Sequence, residues 1–125
     1  MNLYHFTIGF RAENTRKALR EYSEGKQPTD LIVGDAVSLT LECRRFREPS
    51  YTPLWQNPNE KDLPEMVRDI FPTSTYDEID ANLLRTLGSV TAMERGERTD
   101  NSHAQKFFSE LSQACLSPNK TRSIA

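Results

Sequence analysis

A sixteen-residue segment near the middle of the chain constrains the fold most, because it suits neither a helix nor a central strand. It covers residues 44–59 and contains three of the seven prolines together with the only tryptophan. Proline lacks a backbone donor and fixes φ, so it disrupts helix interiors and sheet centres. The sequence therefore predicts an N-terminal half and a C-terminal half that are joined by a long loop.

Apolar and polar residues alternate in two stretches of the N-terminal half, which is a pattern typical of strands. In residues 2–10 the face expected to meet the core consists of Tyr4, Phe6, Ile8 and Phe10. In residues 36–46 the corresponding face consists of Val37, Leu39, Leu41 and Cys43. Residues 31–33 precede Gly34 and Asp35, which can supply the positive φ angles of a two-residue turn, so this region predicts a hairpin.

Four segments have the spacing of amphipathic helices. The first covers residues 12–24 and ends at Gly25, and the others lie near residues 63–70, 75–96 and 102–116. The last two begin with the pattern of a capping box, in which a hydroxyl and a side-chain acceptor three residues later satisfy the free backbone donors.

The order of these elements predicts a single α+β domain over residues 1–116. We expect a small, mainly antiparallel sheet of about three strands, mostly in the N-terminal half, packed on one face by about four helices. Residues 117–125 are small, polar and basic, and we expect them to form a flexible tail.

The composition limits the compartment and the cofactors. No apolar run is long enough to span a membrane and the first residues lack the features of a signal peptide, so we expect a cytoplasmic protein without a membrane partner. The glycines form no phosphate-binding loop. We expect neither a metal nor another cofactor, because the candidate metal ligands are widely scattered: His5, Cys43, His103 and Cys115. Both cysteines fall on apolar faces and predict buried free thiols.

The charge is unevenly distributed along the chain. The net charge is −2, but residues 51–100 carry ten acidic and five basic side chains. The absence of a basic excess argues against nonspecific nucleic-acid binding as the main function. The acidic region would suit a basic partner; alternatively, its helices simply expose their charged faces to solvent.

The two histidines are the only groups that titrate near neutrality without help from neighbours. The alternation places His5 on the solvent face of the first strand, and His103 falls in the first turn of the last helix, where a positive charge is unfavourable. Nothing in the spacing pairs either one with a carboxylate or a nucleophile. We therefore expect no enzymatic activity, and we assign no catalytic residue.

The segment 44–59 carries the candidate binding residues, which are Arg44, Arg45, Phe46, Arg47, Tyr51 and Trp55. Aromatic and arginine side chains supply much of the binding energy at protein interfaces, so we expect a non-enzymatic module that binds another protein. The rings would anchor the partner and the arginines would steer it. A small chain without catalytic motifs fits an inhibitor, immunity or adaptor protein, including those encoded by mobile elements.

Other interpretations of the same segment stay open. Cations and aromatic rings also hold single-stranded nucleic acid through phosphate pairing and base stacking. A small enzyme or a ligand-binding protein could use a site that the sequence does not reveal, and a homodimer could bury the segment. In a purely structural interpretation, Leu54 and Trp55 fold back and cover the protein's own core.

Overall fold

The computed structural model describes residues 3–53 and 60–116. Within these residues the regular structure is helical and no strand occurs. A 3₁₀ turn at Arg45–Arg47 accompanies the helices α1 (Leu3–Ser23), α2 (Asp30–Cys43), α3 (Leu63–Ile70), α4 (Tyr76–Arg95) and α5 (Ser102–Leu116). The predicted α+β fold with a small antiparallel sheet is therefore wrong, and the protein is all-helical in its described part.

The first predicted strand is the N-terminal half of α1. The residues that α1 buries are mostly three or four positions apart and include His5, Ile8, Ala12, Thr15, Leu19 and Tyr22. Phe6 and Phe10, which the alternation assigns to the core, are instead 46% and 48% exposed. The alternating pattern predicts the wrong element because α1 buries several small and polar residues and leaves the rings of Phe6 and Phe10 exposed.

The predicted hairpin is the N-terminal half of α2. The Thr29 side chain caps this helix, since its hydroxyl oxygen accepts a hydrogen bond from the backbone N–H of Ile32 at 3.3 Å. Gly34 and Asp35 lie inside the helix rather than at a turn. Asp35 accepts a hydrogen bond from Arg11 Nε at 2.8 Å, which fastens α2 to α1.

The second predicted strand is mainly the C-terminal half of the same helix. Leu39 and Cys43, which are four positions apart, are buried, whereas Leu41 between them is exposed. Thr40, assigned to the polar face of the strand, is buried and donates a hydrogen bond to a carbonyl one turn earlier. Burial therefore follows the helical period of 3.6 residues and not the strand period of two.

The three helices predicted in the C-terminal half are confirmed. Thr75 and Glu78 form the expected capping box, with backbone-to-side-chain distances of 2.8 and 3.2 Å. Helix α4 ends at Gly96, whose φ of 74° is in the left-handed region that favours glycine. Helix α5 begins at Ser102, one residue earlier than the predicted capping box places its start, and Asn101 Oδ1 accepts a hydrogen bond from Gln105 Nε2 at 2.7 Å.

Helices α1 and α5 are antiparallel and form the largest helix–helix contact in the described part. Gly9, near the start of α1, lies against Leu116 at the end of α5. At the opposite end of the pair, the buried Asn101 donates a hydrogen bond from Nδ2 to the Leu19 carbonyl at 2.9 Å. Helix α2 packs on α1 and on α4, and α3 packs on α5 and α2.

The connection between α4 and α5 is fastened to the C-terminal half of α1. The Tyr22 hydroxyl donates a hydrogen bond to the Glu97 carbonyl at 2.6 Å. The guanidinium carbon of Arg98 lies 4.3 Å from the centroid of the Tyr22 ring, and its Nη1 donates to the Tyr22 carbonyl. This short loop therefore has a fixed position relative to the helix pair.

Both cysteines are buried and free, as predicted. Burial raises the pKa of the Cys115 thiol to about 12, and it raises that of Cys43 as well. Thiols with such raised pKa values stay protonated at neutral pH and are poor nucleophiles. Cys43 and Cys115 therefore serve as core residues.

Two other predictions concern the C-terminal tail and the absence of a membrane-spanning segment. Residues 117–125, the predicted flexible tail, lie outside the described residues. Across residues 3–53 and 60–116, none of the helices combines the length and the apolar character that a bilayer crossing requires.

The substitution Gly9→Ala measures how closely α1 and α5 approach each other. A Cβ atom on Gly9 would lie 2.5 Å from Leu116 Cγ and 3.1 Å from Cys115 Cβ, which is closer than normal van der Waals contact. Alanine stabilises a helix over glycine by about 0.5–1 kcal/mol, but overpacking costs about 1–3 kcal/mol. We expect urea denaturation to give a free energy of unfolding that is lower by roughly 1 kcal/mol.

Gly88→Ala is the matched control. Gly88 is an exposed residue inside α4, and a Cβ atom there would have no atom within 4 Å. We expect this substitution to raise the free energy of unfolding by about 0.5–1 kcal/mol. An equal gain at Gly9 would contradict the close contact between α1 and α5.

Candidate functional site

The predicted binding segment begins where α2 ends. Of its six named residues, the structure describes Arg44, Arg45, Phe46, Arg47 and Tyr51, whereas Trp55 lies outside the described residues. The 3₁₀ turn Arg45–Arg47 places this part of the chain beside the N-terminal ends of α3 and α4. The candidate site consists of residues in and after the 3₁₀ turn and at the N-terminal ends of α3 and α4.

Two of the predicted binding arginines hold the segment to α4. Arg44 Nε lies 2.7 Å from Asp80 Oδ1, and Arg47 Nη1 lies 2.8 Å from Asp77 Oδ1. Asp80 is largely buried, with a side chain that is 12% exposed, and Arg47 Nε is also 4.0 Å from its second oxygen. Arg44 therefore forms a largely buried ion pair, whereas the pair of Arg47 with Asp77 is exposed to solvent.

The aromatic residue of the 3₁₀ turn contacts an exposed tyrosine. The rings of Phe46 and Tyr76 have centroids 5.1 Å apart. The guanidinium carbon of Arg68 lies 5.1 Å from the centroid of the Tyr76 ring, and Arg68 Nη1 donates to the Ser74 carbonyl. Tyr76, at the start of α4, remains 56% exposed although Phe46 and Arg68 both contact its ring.

Tyr51 connects the segment to the cap of α3. Its hydroxyl lies 2.7 and 2.6 Å from the two carboxylate oxygens of Asp62. Asp62 is buried and also accepts a hydrogen bond from the Glu65 backbone N–H at 3.2 Å, which makes it the N-cap of α3. Burial, and next the hydrogen bond to Asp62, raise the pKa of Tyr51. The Arg45 guanidinium lies 6.0 Å from the Tyr51 ring centroid.

Glu65 is the other acidic side chain at the start of α3. Burial raises its pKa, and the charge and the side-chain hydrogen bond of Asp62 raise it further. Two carboxyl groups in contact cannot both ionise without repulsion, so the pair favours retention of a proton. The Oε1 atom of Glu65 is buried and has no hydrogen-bond partner among the described residues.

These residues surround a pocket of about 180 Å³. This volume is below the range of about 300–1,000 Å³ that is typical of small-molecule sites. Aromatic and charged side chains predominate in its lining, which consists of Phe46, Tyr51, Lys61, Pro64, Glu65, Arg68, Asp69 and Tyr76. Lys61 Nζ pairs with the Asp69 carboxylate at 2.8 and 3.0 Å.

The structure brings Phe46 and Tyr51 into one pocket, and sequence analysis missed the residues opposite them. Glu65 and Arg68 are three positions apart and share one side of α3, away from the buried Met66 and Val67, and Lys61 lies just before the helix. That helical spacing was available in the sequence. The contribution of Tyr76 was not, because it depends on how the start of α4 packs against the 3₁₀ turn.

His5 is not on a solvent-facing side, and that expectation is wrong. It is buried in α1, and its Nε2 lies 2.5 Å from the Lys61 carbonyl. One residue earlier in α1, the hydroxyl of Tyr4 accepts a hydrogen bond from the Leu63 backbone N–H at 3.2 Å. The start of α1 therefore positions the chain that leads into α3 and the pocket.

The other candidate ligands and bases lie away from this pocket. His103, in the first turn of α5, is half-buried, and its Nε2 has no partner among the residues that the structure describes. Within the described ranges, no group of three or more histidine, cysteine or acidic side chains is arranged to hold a metal ion. The chemistry of the site therefore comes from carboxyl, guanidinium, ammonium and phenol groups.

Replacing Arg44 by methionine tests whether this arginine has a structural role. Arg44→Met keeps most of the apolar stem but leaves the largely buried Asp80 without its nearest cation. Because leaving a buried polar group unsatisfied costs about 1–3 kcal/mol, we expect a loss of that size in the free energy of unfolding. The neighbouring Arg45→Met is the control.

The Arg45 side chain is 54% exposed and lies 3.8 Å from an equally exposed Glu48. Exposed ion pairs contribute little, so Arg45→Met should change stability by less than about 0.5 kcal/mol. Chemical denaturation of both variants measures the difference. Equal effects at the two positions would show that Arg44 does not hold the segment to α4.

Glu65→Gln should make the protein less sensitive to pH. An acid whose pKa is raised by folding stabilises the native state fully below the unfolded pKa, about 4.3 for glutamate, and loses that contribution as pH rises through the folded pKa. Glutamine cannot ionise and removes this loss. We expect the melting temperature of Glu65→Gln, relative to wild type, to increase between about pH 4 and pH 7.

Glu94→Gln is the matched control, since Glu94 is exposed near the end of α4. Its melting temperature should follow the wild-type profile across the same pH range. A constant offset between Glu65→Gln and wild type would mean that Glu65 does not titrate differently in the folded protein.

Comparisons with protein families, curated proteins and solved structures find no match to this chain.

Proposed function

We propose that this protein is a non-enzymatic binding module that captures a segment of another protein in the pocket between the 3₁₀ turn and α3. The observation that carries the proposal is the position of Tyr76, which is 56% exposed yet held between Phe46 and Arg68 at the pocket wall. An exposed aromatic ring with a fixed orientation loses little conformational entropy when a partner packs against it. Tyrosine and arginine are the residue types that most often dominate protein interfaces.

The balance of charge favours a protein partner over single-stranded nucleic acid. Nucleic-acid binding requires cations that are free to neutralise phosphates. Arg44 and Arg47 are already paired with carboxylates of α4, and Lys61 is paired with Asp69. In this proposal Phe46 and Tyr51 act as anchors, whereas Arg44 and Arg47 support the fold.

The raised pKa of Tyr51 favours a binding function over one in which this tyrosine acts as a general acid. A general acid works best when its pKa lies near the operating pH. Burial and the hydrogen bond to Asp62 move the pKa of Tyr51 away from that range. The small volume of the pocket, about 180 Å³, suits one inserted side chain of a larger partner.

A phage-displayed library of random peptides tests the proposal across many partner sequences at once. Wild-type protein is used for selection, and each enriched clone is then measured against Tyr76→Ala. Truncation of a central aromatic anchor costs about 2 kcal/mol or more, so we expect affinity to fall by at least roughly 30-fold.

Phe10→Ala is the control because Phe10 is 48% exposed on α1, outside the pocket lining. Clones that bind in the pocket should bind Phe10→Ala as tightly as wild type. Both variants are checked for an unchanged circular dichroism spectrum before use. Clones that are insensitive to Tyr76→Ala, or equally sensitive to both substitutions, would contradict the proposed site.

A further inference from the structure

The acidic and basic side chains that line the pocket balance one another. Besides its two tyrosines, the described lining has two basic and two acidic side chains, which are Lys61, Arg68, Glu65 and Asp69. A cleft concentrates ligands of one sign when its walls carry an excess of the opposite sign. The described lining has no such excess, so it selects neither a cation nor an anion.

The two cations of the lining already interact with other groups of this chain. Lys61 Nζ lies 2.8 Å from the Asp69 carboxylate, and Arg68 donates to the Ser74 carbonyl while its guanidinium lies over the Tyr76 ring. A charged ligand would replace one of these interactions by another of similar strength and would lose part of its own hydration. Such an exchange gains little free energy.

Either sign of charge would also meet a like charge in the pocket. A basic side chain would approach Lys61 and Arg68, and an acidic one would approach Glu65 and Asp69. Burial, and next the charge of Asp62, raise the pKa of Glu65, so a smaller fraction of this carboxyl is ionised than in an ordinary glutamate at the same pH. The charged groups therefore disfavour charged ligands more than they attract them.

The rest of the lining consists of rings. Phe46, Tyr51 and Tyr76 line the pocket together with Pro64 in the first turn of α3. The centroids of the Phe46 and Tyr76 rings are 5.1 Å apart, and Tyr76 is 56% exposed. Removing such apolar surface from water is favourable and requires no charge on the partner.

From these observations we infer that the pocket binds an uncharged, apolar side chain of the partner, which packs against the rings of Phe46 and Tyr76, and that the paired charges around these rings exclude basic and acidic side chains. This inference rests on the proposed function and specifies which partner segments the module accepts. Specificity of this kind comes from the cost of wrong ligands as well as from contacts with the right one.

The test is a nuclear magnetic resonance titration near neutral pH with three probes that share a linear aliphatic stem. N-acetyl-norleucine amide is uncharged, N-acetyl-lysine amide ends in an ammonium group, and N-acetyl-α-aminoadipate amide ends in a carboxylate. Amide shifts of Tyr51, Glu65 and Tyr76 report on the pocket. We expect the norleucine probe to bind at least about fivefold more tightly than either charged probe, because partial burial of an unpaired charge is unfavourable.

Two pairs of measurements test the physical basis. Tyr76→Ala should weaken binding of the norleucine probe, whereas Phe10→Ala should leave it unchanged. Asp69→Asn removes the carboxylate partner of Lys61, so the α-aminoadipate probe should bind this variant about two- to fivefold more tightly than wild type. The norleucine probe should bind Asp69→Asn and wild type equally.

A charged probe that binds the wild-type pocket as tightly as the norleucine probe would overturn the apolar ligand and leave the proposed module intact. Absence of pocket shifts with all three probes would also overturn it. An unchanged affinity of Asp69→Asn for the α-aminoadipate probe would overturn the exclusion by paired charges. Failure of the module itself is recognised separately, by library clones that do not respond to Tyr76→Ala.

Discussion

The close antiparallel contact between α1 and α5 is the interaction on which the other elements depend. It requires glycine at position 9, where a side chain would overlap Leu116, and it is fixed at its other end by the hydrogen bond from Asn101 to the Leu19 carbonyl. Helix α2 packs on α1, α3 packs on α5 and α2, and α4 packs on α2 and α5. Arg11 binds Asp35 and Glu42 of α2, at 2.8 and 3.0 Å, and His5 binds the chain before α3. The helix pair therefore positions α2 and α3, and the chain that follows α2 leads to the pocket.

The same contact explains why half of the fold could be predicted from the sequence and half could not. Helices α4 and α5 carry signals that act locally, such as the capping box of Thr75 and Glu78, the left-handed Gly96 and a continuous apolar stripe. In α1 the buried positions include histidine, glycine, alanine and threonine, because close packing selects small side chains. Phe6 and Phe10 are left on the outer face, so hydrophobicity shows a period of two over residues 2–10. Only the packing partner reveals the helical period.

The sequence drew attention to the segment that contributes two lining residues, but it did not reveal the residues opposite them. Proline and aromatic residues distinguish the chain after α2 from the helices, and Phe46 and Tyr51 of that chain line the pocket. The sequence could not show that Arg44 is bound to Asp80, 36 positions away, because such pairs depend on tertiary structure. The sequence therefore predicted a binding role for all three arginines, although Arg44 and Arg47 form ion pairs that connect the chain after α2 to α4.

The carboxylate of Asp62 contributes both to the fold and to the candidate site. As the N-cap it stabilises the start of α3, and as the acceptor for Tyr51 it holds the segment after the 3₁₀ turn. A second acid at Glu65 does not contribute to either task, and its raised pKa means that it opposes folding as pH increases. The start of α3 therefore carries both the cap that fixes one wall of the pocket and an acid whose pKa depends on that cap.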